Sequence, residues 1–187
     1  MAKKEIPDAI AAFDLSLAST GVAACSDRGG YIGFRTFKSK YKNGMARLDD
    51  ITNSLVTPAK TAKLVVMEDM AFAAHDMKHE RAGLAYLVRH GLWQNMIPYV
   101  LIAPTSLKKF VTGSGKAEKS MMIMEVFKRW GHAAKNDNEA DAIALLYIGQ
   151  ALMGCYTPET KAQREVLQTV CKSNAEAIKE AKGITKW

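Results

Sequence analysis

Two short apolar runs, each ending on a carboxylate, constrain this chain most. Ala9–Phe13 (AIAAF) stops at Asp14, and Lys63–Met67 (KLVVM) stops at Glu68. Runs this short, the second rich in valine, are the length of buried strands, and a strand buried on both faces is apolar without alternation. An acid at the end of such a run sits at the rim of a core, where desolvating a carboxylate costs several kcal/mol unless something compensates it. The rest of the chain must therefore supply a sheet around these runs and a partner for the two acids.

The remaining pattern supplies the sheet. Gly21–Cys25 resumes an apolar run after the Ser-Thr-Gly corner at 19–21, Asp27–Gly30 is a turn, and Tyr31–Phe37 completes a three-strand meander. Met45, Leu48, Ile51 and Leu55 are spaced as on a helix. So are Leu84, Leu87, Val88 and Leu92 in a helix from Lys78 to Met96, stopped before Pro98. Tyr99–Ala103 is a further strand. Helices are then expected over Pro104–Phe110, over Ala117–Trp130 and over Glu139–Met153, the last strongly apolar. The order β-β-β-α-β-α-β-α-α-α predicts an α/β fold, a mixed sheet with helices on its faces. The expected organisation is one domain over 1–157 with a polar helical tail over 158–187, striped by Val166, Leu167 and Val170.

Asp137 and Asp141 flank the start of the apolar helix. With Asp14 and Glu68 they make four carboxylates at the ends of buried elements. Taken singly, each has an ordinary reading: Asp14 as a turn residue, Glu68 as the partner of a lysine, Asp137 as a helix cap with Asn136 and Glu139 fitting a capping box, Asp141 as a half-exposed helix residue. Taken together they fit a site for hard divalent cations, Mg²⁺ or Mn²⁺. Two such ions about 3.5–4 Å apart activate a water and stabilise a leaving oxygen in phosphodiester hydrolysis. His75 and His79 have i, i+4 spacing but lack a third ligand, so zinc is not expected.

Lysine and arginine exceed aspartate and glutamate by 26 to 19, a net charge of +7. This favours a polyanion. The excess gathers in two clusters, Arg35–Arg47 and Lys108–Lys119. Cys25, Cys155 and Cys171 are widely spaced and odd in number, so neither disulfides nor a zinc site is expected. No run approaches a membrane span and no signal peptide is expected, which makes a soluble, cytoplasmic protein the expectation.

At these residues the chain resembles the RuvC family of Holliday junction resolvases, and its shorter phage members more than the housekeeping bacterial ones. Four blocks carry the resemblance, in order: AFDLSLASTGVA (12–23), LVVMED (64–69), PTSLKKFVTGSGKAEKSMM (104–122) and DNEADAIAL (137–145). The resemblance implies a ribonuclease-H-like domain and a homodimer that nicks opposing strands of a four-way junction. It implies Asp14, Glu68 and Asp141 as ligands of two Mg²⁺ or Mn²⁺ ions, and Lys108 and Lys119 as phosphate contacts beside them. Lys109 and Lys116 lie in the same block and are expected on the DNA. The family usually has Asp or His three residues before its last aspartate. Here Asn138 stands there, and Asp137 at i−4 is the preferred fourth ligand, with the Asn138 carbonyl as the alternative. Phe72 falls where the family places an aromatic wedge, and it fits a core residue equally well. The helix of residues 78–96 offers an apolar stripe either to the dimer or to the core.

Three other functions compete. An actin-like or sugar-kinase-like phosphotransferase would need a second domain and phosphate loop, which the sequence lacks, so no nucleotide cofactor is expected. A non-catalytic DNA-binding module would gain nothing from clustered acids facing phosphate. A nuclease for flapped DNA or RNA-DNA hybrids is indistinguishable by sequence.

Overall fold

The computed structural model describes residues 9–26, 30, 32–69 and 79–183. Three strands, β1 (Ala9–Asp14), β2 (Thr20–Cys25) and β3 (Ile32–Phe37), form the antiparallel meander expected from their turns. Helix α1 (Gly44–Ala59) then returns the chain to β4 (Ala62–Glu68), which lies parallel to β1. Helix α2 (His79–Gln94) leads to β5 (Tyr99–Ile102), parallel to β4. The sheet order is β3-β2-β1-β4-β5, so the two acid-tipped strands lie side by side near its middle.

Side-chain alternation explains why both central runs are continuously apolar. Ile10, Ala12, Leu64 and Val66 enter one core, and Ala11, Phe13, Val65 and Met67 enter another on the opposite face. Helices α1 and α2 cover the second face. The α2 stripe Leu84, Val88 and Leu92 is fully used there against the sheet and α1, so it is not free to form a dimer interface. The core contact of α1 begins at Leu48. Met45, on the same predicted stripe, is 67% exposed.

The first face carries α3 (Pro104–Thr112), α4 (Lys119–Trp130), α5 (Asp137–Met153) and the tail helices α6 (Lys161–Ser173) and α7 (Ala175–Ala181). Helix α5 lies directly on β1, β2 and β4 and is buried on nearly every side, as its unbroken apolar sequence requires. It sits so close that a Cβ at Gly149 would come 2.7 Å from Val66 Cγ2 and 2.8 Å from Ile10 Cγ2. Asn136 caps its start by accepting from the Glu139 N–H at 2.9 Å. The capping box expected there is only half formed. The buried Glu139 carboxylate turns instead to the Lys135 N–H (2.9 Å) and the Thr36 hydroxyl (3.1 Å), tying α5 to β3.

The tail shares the core of the first face through Val166, Val170, Ile178 and Ala181. A full capping box, Thr160 with Gln163, starts α6. Between α6 and α7, the Asn174 side chain accepts from the Leu101 N–H at 3.1 Å and donates to the Leu101 carbonyl at 3.4 Å. An edge strand exposes unpaired backbone groups, and this side chain closes part of the β5 edge. No helix among the described residues is long and apolar enough to cross a membrane.

Candidate active site

The strand register builds the centre. Phe13 stands opposite Met67, which sets Asp14 beside Glu68 at the carboxyl ends of β1 and β4. Ligands of open α/β sheets commonly bind at that end. By alternation Asp14 shares a face with Ile10 and Ala12, and Glu68 with Leu64 and Val66, so both turn toward α5. Asp137 and Asp141 lie one turn apart at the start of that helix. One carboxylate oxygen from each of Asp14, Glu68 and Asp141 lies within 4.8 Å of the others.

A glycine lets the helix come this near. Gly21 pairs with Asp14 across β1 and β2, and a Cβ on it would stand 1.9 Å from the Asn138 carbonyl oxygen. The Asn138 amide donates to the Ser19 carbonyl at 2.6 Å. Inside the turn, the Thr20 hydroxyl donates to the Ser16 carbonyl at 2.8 Å. The β1–β2 turn is thus docked on the first turn of α5, and Asn138 is spent on that docking through its amide.

Crowded acids deprived of water hold protons. Burial pushes the Asp14 carboxyl from 3.8 up to about 7, with the Glu68 charge, a hydrogen bond to Glu68 and the charge of Asp137 adding to the rise, and Arg81 opposing it. Glu68 is raised as well, first by burial and then by Asp141, while its hydrogen bond with Asp14, Arg81 and Lys108 pull it down. Burial and the neighbouring charge thus favour a protonated Asp14 hydrogen-bonded to Glu68. Four acids feel one another here. Asp137 acts on Asp14 from outside the 4.8 Å group that the other three form.

The cationic residues divide. Lys108, half-buried on α3, reaches Glu68 electrostatically. Lys109, one residue on, turns away and pairs with Glu165 of α6 at 2.8 Å. Successive helical residues point about 100° apart, so the two cannot share a face. Lys116 is exposed on the loop between α3 and α4. Lys119 opens α4, and its side chain lies outside the described residues, as does the whole of Phe72. His79 is exposed at the start of α2, and His75 is outside the described residues.

Arg81 was not among the residues singled out from sequence. It lines a shallow cleft with Asp14, Leu15, Glu68, Asp69 and Ala85. The signal was available, since Arg81 stands three residues before Leu84 and four before Ala85. It therefore lies, itself exposed, one turn ahead of the face that Leu84 and Ala85 bury. Nearby, Asp69 is fixed by Arg89 at 2.9 Å.

The donor set is all oxygen, convergent and short of positive charge, which fits Mg²⁺ or Mn²⁺ rather than a softer metal. No protein-family model and no curated protein sequence matches the chain. Solved structures do. A structure of RuvC from Thermus thermophilus matches with a TM-score of 0.59 at 19% identity, covering 81% of this chain and 99% of that one. A structure of Thermus thermophilus RuvC in complex with a Holliday junction substrate matches with a TM-score of 0.62 at 20% identity over the same shares. A five-stranded mixed sheet in this order, flanked by helices and matched over that length, gives this chain the ribonuclease-H-like α/β fold of RuvC.

Proposed function

We propose that this chain is a divalent-metal-dependent DNA endonuclease that resolves four-way junctions, acting in the cytoplasm as a homodimer that makes paired nicks. The observation that carries the reading is the trio Asp14, Glu68 and Asp141, with carboxylate oxygens within 4.8 Å at the carboxyl ends of two central strands. The shared fold with RuvC, one of whose structures holds a Holliday junction substrate, supports the choice of substrate.

Asp14, Glu68 and Asp141 are the proposed ligands of two Mg²⁺ or Mn²⁺ ions, and Asp137 is the fourth. Such a pair of ions, when bound, acidifies a water and stabilises the leaving 3′ oxygen. The protein's own groups do the rest. Bound ions would favour the ionised Asp14 and Glu68 over the protonated form that burial favours. The rigid ladder between β1 and β4 fixes the spacing of these two acids, and the docking of Asn138 on Ser19 fixes the third. Arg81 and Lys108 flank the acids and are placed to take the nonbridging oxygens of the phosphate. Lys116 and Lys119 are the proposed further backbone contacts, and Phe72 is assigned to the junction branch.

Paired nicks require two centres held at a fixed distance. With the Leu84–Leu92 stripe used by the core, the outward face of α2 remains for the partner copy. Tyr86 is 62% and Trp93 70% exposed there, and His90 stacks on Trp93 with ring centroids 6.0 Å apart. Large exposed aromatics are typical anchors of interfaces.

The test is cleavage of a synthetic four-way junction beside linear duplex and flap DNA, in Mg²⁺, in Mn²⁺ and in chelator. The junction is cut preferentially and only with metal. Asp14→Asn and Glu68→Gln stop cutting and leave junction binding intact. Equal cutting of duplex and junction removes the branch selectivity, and cutting in chelator removes the metal centre.

A further inference from the structure

We propose that Lys38, Lys40 and Lys42, with Tyr41 among them, form a second DNA-contact surface on the opposite side of the acidic centre from Lys108. The inference rests on the nuclease reading above and adds a substrate contact that neither the four sequence blocks nor the acidic centre contains.

The sheet register places this loop. Phe37, the last residue of β3, pairs with Thr20, and the next residue of β2, Gly21, pairs with Asp14. The chain after Phe37 therefore leaves the sheet at the same end as the acids. A single guanidinium fixes it there. Arg47 Nε donates to the Leu17 carbonyl at 2.9 Å, and its Nη1 donates to the Lys42 carbonyl at 2.9 Å. Lys42 is thus clamped to the turn that follows Asp14.

The loop is built to present charge outward. Ser39 turns inward, donating to Asp50 Oδ2 at 2.6 Å and accepting from the Tyr41 N–H at 3.1 Å. The same carboxylate oxygen accepts from the Lys40 N–H at 3.3 Å. Asp50 is thereby committed to the loop backbone. Lys38, Lys40 and Lys42 are all exposed, and among the described residues none of their ammonium groups is in an ion pair. Tyr41 is 44% exposed, and Lys40 Nζ lies 5.2 Å from its ring centroid. Lysines alternating with an exposed ring fit a nucleic-acid strand, with ammonium groups on phosphates and the ring against a base.

The spacing fits a strand already bound at the centre. β3 is two strands from β1, about 10 Å at about 4.8 Å per strand. One DNA strand advances about 3.4 Å per nucleotide along the helix axis. The loop therefore lies within reach of phosphates a few nucleotides from the scissile one, while Lys108 grips the other side.

The experiment measures binding of a labelled four-way junction by anisotropy, in chelator, as a function of salt. The variants are the triple Lys38→Ala/Lys40→Ala/Lys42→Ala, the single changes Tyr41→Ala and Tyr41→Phe, and a control triple Lys60→Ala/Lys172→Ala/Lys182→Ala. The control removes the same charge at the opposite end of the sheet. The loop triple binds about ten- to hundredfold more weakly at low salt, and its log K against log salt slope falls by about two to three. Its urea midpoint stays at the wild-type value. Tyr41→Ala binds several-fold more weakly at an unchanged slope, and Tyr41→Phe binds as wild type. The proposal is overturned if the loop triple keeps the wild-type slope and affinity, or if the control triple loses as much. It is also overturned if Tyr41→Ala binds as wild type. Failure of the wild-type protein to bind the junction at all removes the nuclease reading together with this one. Wild-type binding and cutting with an unaffected loop triple removes this one alone.

Discussion

Replacing Asp14 by Asn stabilises the metal-free protein while abolishing its activity. Asp14 is buried, and its carboxyl titrates at about 7 instead of 3.8. The folded state therefore binds a proton that the unfolded chain has already released. The stability associated with the neutral acid is present below pH 3.8 and is lost progressively as pH rises to about 7, beyond which the loss is complete. At about 1.4 kcal/mol per pH unit, the full loss is about 4 kcal/mol. Coupling of the two titrations makes about 2–4 kcal/mol the measurable part. An asparagine amide still donates to Glu68 and carries no charge, so it escapes the loss. Urea unfolding in chelator at pH 3.5, 5 and 8 gives near-equal stabilities at the lowest pH and a gap favouring Asp14→Asn that widens to pH 8. Saturating Mg²⁺ reverses the order at pH 8, because a ligand stabilises only the form that binds it. If wild type in chelator is the more stable protein at pH 8, or if the gap narrows as pH rises, burial and crowding are not what raises Asp14.

The same proton must leave when metal enters. Metal affinity thus falls about tenfold for each pH unit below about 7 and is flat above it, as calorimetry from pH 5.5 to 8.5 in buffers of different ionisation enthalpy reads directly. Asp137→Asn raises the metal concentration for half-maximal cutting about tenfold. Asn138→Ala loses the bond to Ser19, costs about 1 kcal/mol and leaves that concentration unchanged. The opposite pattern makes Asn138 the fourth ligand. Gly21→Ala forces a Cβ against the Asn138 carbonyl and shifts α5 by about 1 Å. It lowers the melting temperature, at about 1–3 kcal/mol, and lowers cutting about 10²-fold well below that temperature. Trp93→Glu yields monomers by light scattering and single, uncoordinated nicks, whereas an intact dimer moves the interface off α2.

How much was legible follows from where each signal resides. Asp14 and Glu68 announce themselves because an acid ending an apolar run is visible in one dimension, and the ladder that joins them needs only the strand order. Asp141 is visible as a charge inside an apolar helix. Arg81 shares a helical face with Leu84 and Ala85 in the sequence, but only the fold shows that this face reaches the acids. Lys108 and Lys109 look alike in sequence and part company through one residue of helical phase. The Leu84–Leu92 stripe serves a core or a partner equally well until α1 is seen against it. The bond between Glu139 and Thr36 spans 103 residues and leaves no local trace beyond a glutamate where a capping box was expected.

The four acids repel one another, yet the elements that carry them are anchored by extensive contacts elsewhere. β1 and β4 are fixed by their backbone ladder and by two separate cores. Helix α5 is fixed by its apolar body, by the close approach at Gly149 and by Glu139 reaching β3. Its amino-terminal dipole favours the negative charge of Asp137 and Asp141. The repulsion is therefore borne by a scaffold stable enough to carry it, and it is relieved by protonation of Asp14 or by bound cations. Stability and chemistry are set against each other at Asp14 and Glu68. At Gly21 they are aligned, because the same close approach that seats the helix also brings Asp141 to the other two acids. Substitutions should divide along that line. Neutralising Asp14 or Glu68 strengthens the fold without metal and removes its chemistry, whereas disturbing the seat of α5 weakens both.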